Sequence, residues 1–154
     1  MKKKNSQALQ GKIGIAEPLR PVVKKKILIA DDDPGIRDIF NIIFERAGYA
    51  IELKSNGEDL LKNKFSLPHG FLIDKQLSGT DGIDICRYLK SQTLTKEIPI
   101  IMISASPDIA KLSQEAGADA FIEKPFEVRD LLQLVSHYTN QNGDHGHAKN
   151  DTTR

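Results

Sequence analysis

Five short apolar segments alternate along the chain with stretches of helical periodicity, and this alternation constrains the fold more than any other feature. The segments are residues 26–31, 50–54, 70–74, 98–104 and 120–123. The first, third and fourth are apolar almost throughout, which is typical of parallel strands that are covered on both faces. The second and fifth contain more polar residues, which favours positions at the edges of a sheet.

The intervening stretches carry the signals of amphipathic helices. After the first apolar segment, Asp33 is a candidate N-cap, Pro34 suits the first helical position and Gly48 suits the stop. A later helix is predicted to open at Ser106-Pro107 and to close at Gly117. The apolar face of the first helix is predicted to comprise Ile36, Ile39, Phe40, Ile43 and Ala47. Because crossovers between parallel strands are right-handed, such helices cover both faces of the sheet. The sequence therefore predicts an α/β fold, a doubly wound (βα)5 sandwich around a parallel five-stranded sheet.

The ends of the chain differ in composition from its middle. Residues 1–23 are predicted to form a flexible basic arm, because periodicity is absent and two prolines interrupt any helix. Residues 140–154 are predicted to form a disordered polar tail with a single apolar residue, Ala148. One folded domain is therefore expected over residues 24–139, with no output domain after it.

Composition excludes several classes of protein. The single cysteine, Cys86, excludes a disulfide framework, and no apolar run approaches the roughly 20 residues that span a bilayer. Residues 27–138 contain twelve basic and eighteen acidic side chains, whereas residues 1–26 contain eight basic and one acidic. An acidic body disfavours nucleic-acid binding. We therefore expect a cytoplasmic protein with neither a membrane nor a nucleic acid as partner.

Charged and hydroxyl side chains follow four of the five predicted strands. Asp31-Asp32-Asp33 follows the first strand, Asp74 ends the third, Ser104 ends the fourth, and Lys124-Pro125 follows the fifth. Each has an ordinary explanation as a cap or a turn when it is taken alone. Doubly wound sheets, however, bind ligands beyond the carboxyl ends of their strands, so the coincidence on one edge predicts a site.

These side chains suit phosphoryl chemistry together. Converging carboxylates raise one another's pKa, and Mg²⁺, which takes oxygen ligands, relieves the repulsion. A carboxylate beside the metal can attack a phosphoryl group and form an acyl phosphate. Asp74 is the best nucleophile candidate because it ends the central strand, and Asp31 and Asp32 suit the metal, whereas Asp33 suits a cap. Lys124 and Ser104 supply the cation and the hydroxyl that the added phosphoryl group needs.

Five segments in order resemble the receiver domain of the two-component response regulators over roughly residues 25–138, in a stand-alone, single-domain form. They are residues 27–37, 71–74, 79–82, 100–105 and 117–126. The resemblance implies a flavodoxin-like fold with sheet order 2-1-3-4-5. It also implies phosphorelay signal transduction, in which Asp74 accepts phosphoryl from a histidine kinase or a histidine phosphotransfer protein.

The resemblance further implies a role for each site residue. Asp31, Asp32, Asp74 and the backbone carbonyl of Gln76 would bind Mg²⁺. Lys124 would pair with the phosphoryl group, and the bond between Lys124 and Pro125 would be cis.

The same resemblance implies a switch and a limited chemistry. Ser104 would move inward, and Phe121 would follow it. This movement would change the face formed by the fourth helix, the fifth strand and the fifth helix, where a downstream protein would dock. The protein would be a monomer or a weak dimer, and no enzyme beyond its own phosphorylation and dephosphorylation.

Three features depart from the family's usual pattern. Ser78 stands where the family often has proline, which predicts a more mobile loop. Phe121 stands where tyrosine is commoner, so packing alone would set its position. The stretch from Ser104 to Gly117 is shorter than usual, which affects the predicted docking face.

Two other functions remain open at this point. A metal-dependent phosphohydrolase could also form an aspartyl phosphate on a similar fold, but its Asp-x-Asp-x-Thr motif is not matched, since residues 31–35 contain no threonine. A non-phosphorylated interaction scaffold is the second, because a fold does not determine a function. A nucleotide-binding protein is excluded, because no glycine-rich phosphate loop follows a strand.

Overall fold

The computed structural model describes residues 23–143, and these residues form one doubly wound sheet. Its five parallel strands are β1 (Lys26–Ala30), β2 (Ala50–Lys54), β3 (Gly70–Asp74), β6 (Ile100–Ser104) and β7 (Ala120–Glu123). They lie in the order β2-β1-β3-β6-β7, which confirms the predicted order of the five main strands. The two more polar strands, β2 and β7, lie at the edges, as predicted. A small antiparallel hairpin, β4 (Gln76–Leu77) and β5 (Thr80–Asp81), follows β3 and was not predicted.

Five helices cover the two faces of the sheet. They are α1 (Pro34–Arg46), α2 (Glu58–Leu61), α3 (Gly82–Ser91), α4 (Ile109–Ala116) and α5 (Val128–Gly143). Buried side chains of α2, α3 and α4 share one apolar cluster, and those of α1 and α5 share the other. Two separate clusters on opposite faces confirm the (βα)5 sandwich.

The first helix confirms its predicted start but only part of its predicted face. The Asp33 carboxylate accepts hydrogen bonds from the amides of Gly35 and Ile36, and Pro34 is the first helical residue. The stripe that packs on the sheet is centred on Phe40 and Phe44, which are 3% and 0% exposed. The predictions for Ile39 and Ala47 were wrong. Ile39 is 51% exposed because it lies about 100° around the helix from Phe40, and Ala47 is exposed because it follows Arg46, the last helical residue.

Two helix boundaries differ from the predicted ones. Helix α4 begins at Ile109 rather than at Ser106-Pro107, and a turn precedes it in which the Ser106 carbonyl accepts from the Ile109 amide at 3.2 Å. Helix α5 continues to Gly143, so residues 140–143 are helical rather than part of a polar tail. The predictions for residues 1–22 and 144–154 lie outside the described residues.

Membrane insertion finds no support in the helices of residues 23–143. None of them combines the length and the apolar character that crossing a bilayer requires.

Candidate functional site

Asp74 is the last residue of the central strand β3, and its carboxylate is held at both oxygens. Its Oδ1 accepts a hydrogen bond from the Gln76 amide at 2.9 Å, and its Oδ2 lies 2.7 Å from Nζ of Lys124. The residue is only 6% exposed. The Lys75 amide donates to the Ile103 carbonyl at 2.8 Å, which extends the pairing with β6 one residue past Asp74. The side chain therefore has a fixed position at the carboxyl edge of the sheet.

Asp31 follows β1 and lies buried beside Asp74. Its Oδ1 accepts from the Asp33 amide at 2.9 Å, whereas its buried Oδ2 has no hydrogen-bond partner among the described residues. The pKa of Asp31 is raised to about 6, mainly by burial and also by the neighbouring Asp74, although the Asp33 amide and Lys124 act to lower it. An unmet buried carboxylate oxygen next to a second carboxylate calls for a cation.

Asp32 and Asp33 point to different partners, although they are adjacent to Asp31. Asp32 is exposed, and its Oδ2 accepts from the Ser78 hydroxyl at 2.8 Å. Asp33 is the cap of α1, as predicted, and its carboxylate bonds to the first turn of the helix. The acidic triplet is anchored by Arg37, whose Nη1 donates to the Asp31 carbonyl at 2.7 Å.

Ser104 and Lys124 complete the edge on the side of β6 and β7. Ser104 is 3% exposed, and its hydroxyl accepts from the Ser106 amide at 2.9 Å. The Lys124 amide donates to the Ser104 carbonyl at 2.9 Å, and the bond from Lys124 to Pro125 is cis. An open cavity lies among these residues, and its lining consists of Asp74, Gln76, Ser104, Ala105, Ser106 and Lys124.

The residues at this edge fit a magnesium ion. The ligand atoms at this edge are carboxylate oxygens, and Gln76, whose backbone carbonyl was predicted as a ligand, lines the same cavity. Hard oxygen ligands are those that Mg²⁺ prefers. Within residues 23–143, no three acidic, histidine or cysteine side chains form a complete ligand set. Mg²⁺ does not need one, because it commonly keeps several waters and takes one or two carboxylates. The observation that supports the fit is the Oδ2 of Asp31, which finds no hydrogen-bond partner in the part of the chain that the structure describes.

Phe121 lies away from the acidic cluster, on the outer side of β7. It pairs with Met102 of β6, and it is 39% exposed. Its neighbours in a surface groove come from α4 and α5 and include Lys111, Gln114 and Tyr138. We call this groove the α4–β7–α5 surface.

Comparison with known proteins identifies the family. The model described as "Response regulator receiver domain" matches residues 27–136 of this chain. The chain belongs to the response regulator receiver domain family. Such domains act in two-component phosphorelay signalling, and none of the comparisons supports a phosphohydrolase.

Curated relatives of this receiver domain are longer proteins. The transcriptional regulatory protein ResD of Bacillus subtilis is 36% identical over 113 residues, which cover 71% of this chain and 46% of that protein. The phosphate regulon transcriptional regulatory protein PhoB of Pseudomonas aeruginosa is 39% identical over 114 residues, covering 72% and 50%. The chain thus spans about half the length of the curated relatives it matches.

Solved structures share the fold of this receiver domain. A putative response regulator from Chloroflexus aurantiacus has a TM-score of 0.71 at 31% identity, covering 77% of this chain and 99% of that one. A CheY-like receiver domain protein from Methanospirillum hungatei has a TM-score of 0.72 at 31% identity, covering 80% and 100%. The receiver domain of a sensor histidine kinase from Pseudomonas aeruginosa, at 21% identity, has a TM-score of 0.70 and covers 77% and 99%. Its structure holds a magnesium ion in the active site cleft.

Three residues that shape the site of this receiver domain were not assigned these contacts from the sequence. Arg37 fixes the carbonyl of Asp31, Ser78 binds Asp32, and Gly82 lets the start of α3 approach the end of β3. A Cβ at Gly82 would collide with the Asp74 carbonyl oxygen and lie 2.9 Å from the Lys75 Cα. Only Gly82 had a usable signal, because a glycine before a helix often marks a close backbone approach.

Proposed function

We propose that Asp74 is the phosphoryl acceptor and that it takes its phosphoryl group from a phosphohistidine of a kinase or a phosphotransfer protein. The observation that carries this proposal is the position of Asp74, held by Lys124 and the Gln76 amide at the edge of an open cavity. A carboxylate oxygen attacks phosphorus and forms an acyl phosphate. The phosphorus–nitrogen bond breaks, and its electron pair stays on the imidazole, which a proton from solvent then neutralises.

Asp31, Asp32, Asp74 and the Gln76 carbonyl are the residues that we expect to bind Mg²⁺. When bound, the ion supplies positive charge for the phosphoryl oxygens and for the crowded carboxylates. The raised pKa of Asp31 supports this assignment, because a cation would stabilise the charged form that burial now disfavours.

Lys124 and Ser104 stabilise the negative charge that phosphorylation adds. Lys124 already lies within a hydrogen bond of the Asp74 oxygen, so a small shift carries its ammonium group to the phosphoryl group. Within residues 23–143 the Ser104 hydroxyl is bound only to the Ser106 amide, so it can turn to donate a hydrogen bond to the phosphoryl group. Movement of Ser104 on β6 frees space next to β7, and Phe121 then leaves the surface.

The α4–β7–α5 surface is our candidate for the docking of a downstream protein. Phe121 is its exposed aromatic residue, and its inward movement would remove apolar area from the surface. We propose a protein rather than a nucleic acid as the partner of this domain, because residues 27–138 are acidic overall. We also propose that the protein is a monomer or a weak dimer and that it acts in the cytoplasm.

The assignment is tested by mass spectrometry of the intact chain with acetyl phosphate and Mg²⁺. Wild type should gain one phosphoryl group, and Asp74→Asn should gain none. Asp84→Asn, which changes an exposed carboxylate paired with Arg87 on α3, is the matched control and should be labelled like wild type. Labelling that persists in Asp74→Asn would refute the assignment, and repeated turnover of unrelated phosphomonoesters would favour a phosphohydrolase.

A further inference from the structure

The hairpin that follows Asp74 is held firmly at its base. Residues Gln76–Leu77 pair with Thr80–Asp81, and Lys75 makes an ion pair with Asp81 at 3.1 Å. Gly79 has a φ of 79°, a conformation that glycine adopts readily in a two-residue turn. Ser78 is thereby presented at the tip of the hairpin, beside the edge where the acidic residues lie.

The Ser78 side chain bonds across the site rather than within its own turn. Serine in turns usually bonds to nearby backbone groups. Here the Ser78 hydroxyl donates to Oδ2 of Asp32 at 2.8 Å, over a sequence separation of 46 residues. The bond joins the loop between β1 and α1 to the hairpin after β3.

We propose that Ser78 is a positioning residue for the metal site. Its hydroxyl holds one oxygen of Asp32, so that the carboxylate is kept at the edge of the site with its other oxygen free for Mg²⁺. The inference rests on the proposed function, in which Asp32 binds the ion. Proline, which the family often has at this position, has no hydroxyl and could not make this contact.

The size of the effect follows from the exposure of the pair. Hydrogen bonds to metal-binding side chains restrict and orient them, and their loss typically weakens metal binding by about 10- to 100-fold. Both Ser78 and Asp32 are exposed, so water replaces part of the lost hydrogen bond. We therefore expect an effect at the low end of that range, about tenfold.

Calorimetric titration of MgCl₂ into the full chain, without any phosphodonor, tests the proposal. Ser78→Ala should weaken binding about tenfold, and Ser78→Thr, which keeps a hydroxyl, should bind like wild type. Ser91→Ala is the matched control, because Ser91 is also an exposed serine whose hydroxyl donates a hydrogen bond. Its acceptor is the Tyr88 carbonyl, at 2.7 Å, and neither residue is close in sequence to Asp31, Asp32 or Asp74. Asp32→Asn tests the metal site itself and should bind much more weakly. Thermal melts by circular dichroism establish that each variant is folded.

The outcomes separate the two proposals. If wild type binds Mg²⁺ and Asp32→Asn does not, but Ser78→Ala equals wild type, the role of Ser78 is overturned and the metal site stands. Tighter binding by Ser78→Ala overturns it too, because the hydroxyl would then compete with the ion. If wild type does not bind, or Asp32→Asn binds equally well, the metal site and the role of Ser78 both fail.

Discussion

The ammonium group of Lys124 lies 2.7 Å from Oδ2 of Asp74, although 50 residues separate the two in sequence. The contact crosses β6, to which Lys124 is tied by its backbone hydrogen bond to Ser104. It keeps one oxygen of the proposed nucleophile paired, and it offsets part of the repulsion between Asp74 and Asp31. The same lysine can follow the charge when that charge moves onto a phosphoryl group.

Removing the Lys124 charge should raise the pKa of Asp31 above about 6. Lys124 lowers that pKa, so in Lys124→Met the carboxyl group faces Asp74 without its nearby cation. The measurement is a carboxyl ¹³C NMR titration without Mg²⁺. Lys96→Met, which removes an exposed charge elsewhere, is the control and should leave the pKa unchanged. A fall in the Asp31 pKa in Lys124→Met would show that the lysine does not compensate this site.

Asp31→Asn should stabilise the fold at neutral pH when Mg²⁺ is absent. The folded-state pKa of about 6 lies above the unfolded value of 3.8, so the charged carboxylate destabilises the folded state above pH 6. The penalty fades as pH falls through 6 and is gone below 3.8. The free energy of unfolding, measured with urea in EDTA, should be higher in Asp31→Asn by on the order of 3 kcal/mol at pH 7.5 and little changed at pH 3.5.

Binding of Mg²⁺ should reverse the difference in stability between wild type and Asp31→Asn. Excess Mg²⁺ should stabilise wild type, because the ligand binds the folded state only, and should stabilise Asp31→Asn much less. Asp38→Asn, an exposed carboxylate on α1, is the control and should respond to Mg²⁺ like wild type. A stability gain in Asp31→Asn that is independent of pH would show that the gain does not come from removing the charge of the buried carboxylate.

Gly82→Ala should distort the acceptor and destabilise the domain. The new Cβ would collide with the Asp74 carbonyl and press on the Lys75 backbone, neither of which can rotate away. Overpacking of this kind costs about 1–3 kcal/mol. The free energy of unfolding, measured with urea, and the rate of labelling by acetyl phosphate should both fall. Gly35→Ala is a matched early-helix control, since its Cβ would meet only the Asp33 carboxylate, at 3.3 Å. Equal effects of the two substitutions would remove the close approach as the cause.

Ser104→Ala should separate labelling from signalling. The variant keeps Asp74 and Lys124, so acetyl phosphate should still label it, but it lacks the hydroxyl proposed to bind the phosphoryl group. Amide NMR shifts on the α4–β7–α5 surface should then change less on phosphorylation than in wild type. Ser136→Ala, on α5, is the control for loss of a hydroxyl. An unaltered pattern of shifts in Ser104→Ala would take the serine out of the switch.

The sequence predicts the parts of this molecule that depend on local pattern. The buried strands and the Asp33 cap follow from apolar runs and from the hydrogen-bonding needs of a helix start. The order of the strands is not a local property, and it was predicted only through the resemblance to the receiver domain family. The exposure of Ile39 depends on how α1 lies on the sheet, and the Ser78–Asp32 contact depends on two loops that only the tertiary fold brings together. Neither has a signal in the local sequence.

The central claim is that Asp74 becomes an acyl phosphate, and borohydride trapping tests it most directly. Borohydride reduces an aspartyl phosphate to homoserine, which peptide sequencing by mass spectrometry locates. After treatment with acetyl phosphate and Mg²⁺, we predict homoserine at position 74 and none in an untreated sample. Homoserine at position 31 or 32 instead, or a phosphoryl label that leaves position 74 unchanged, would contradict the account.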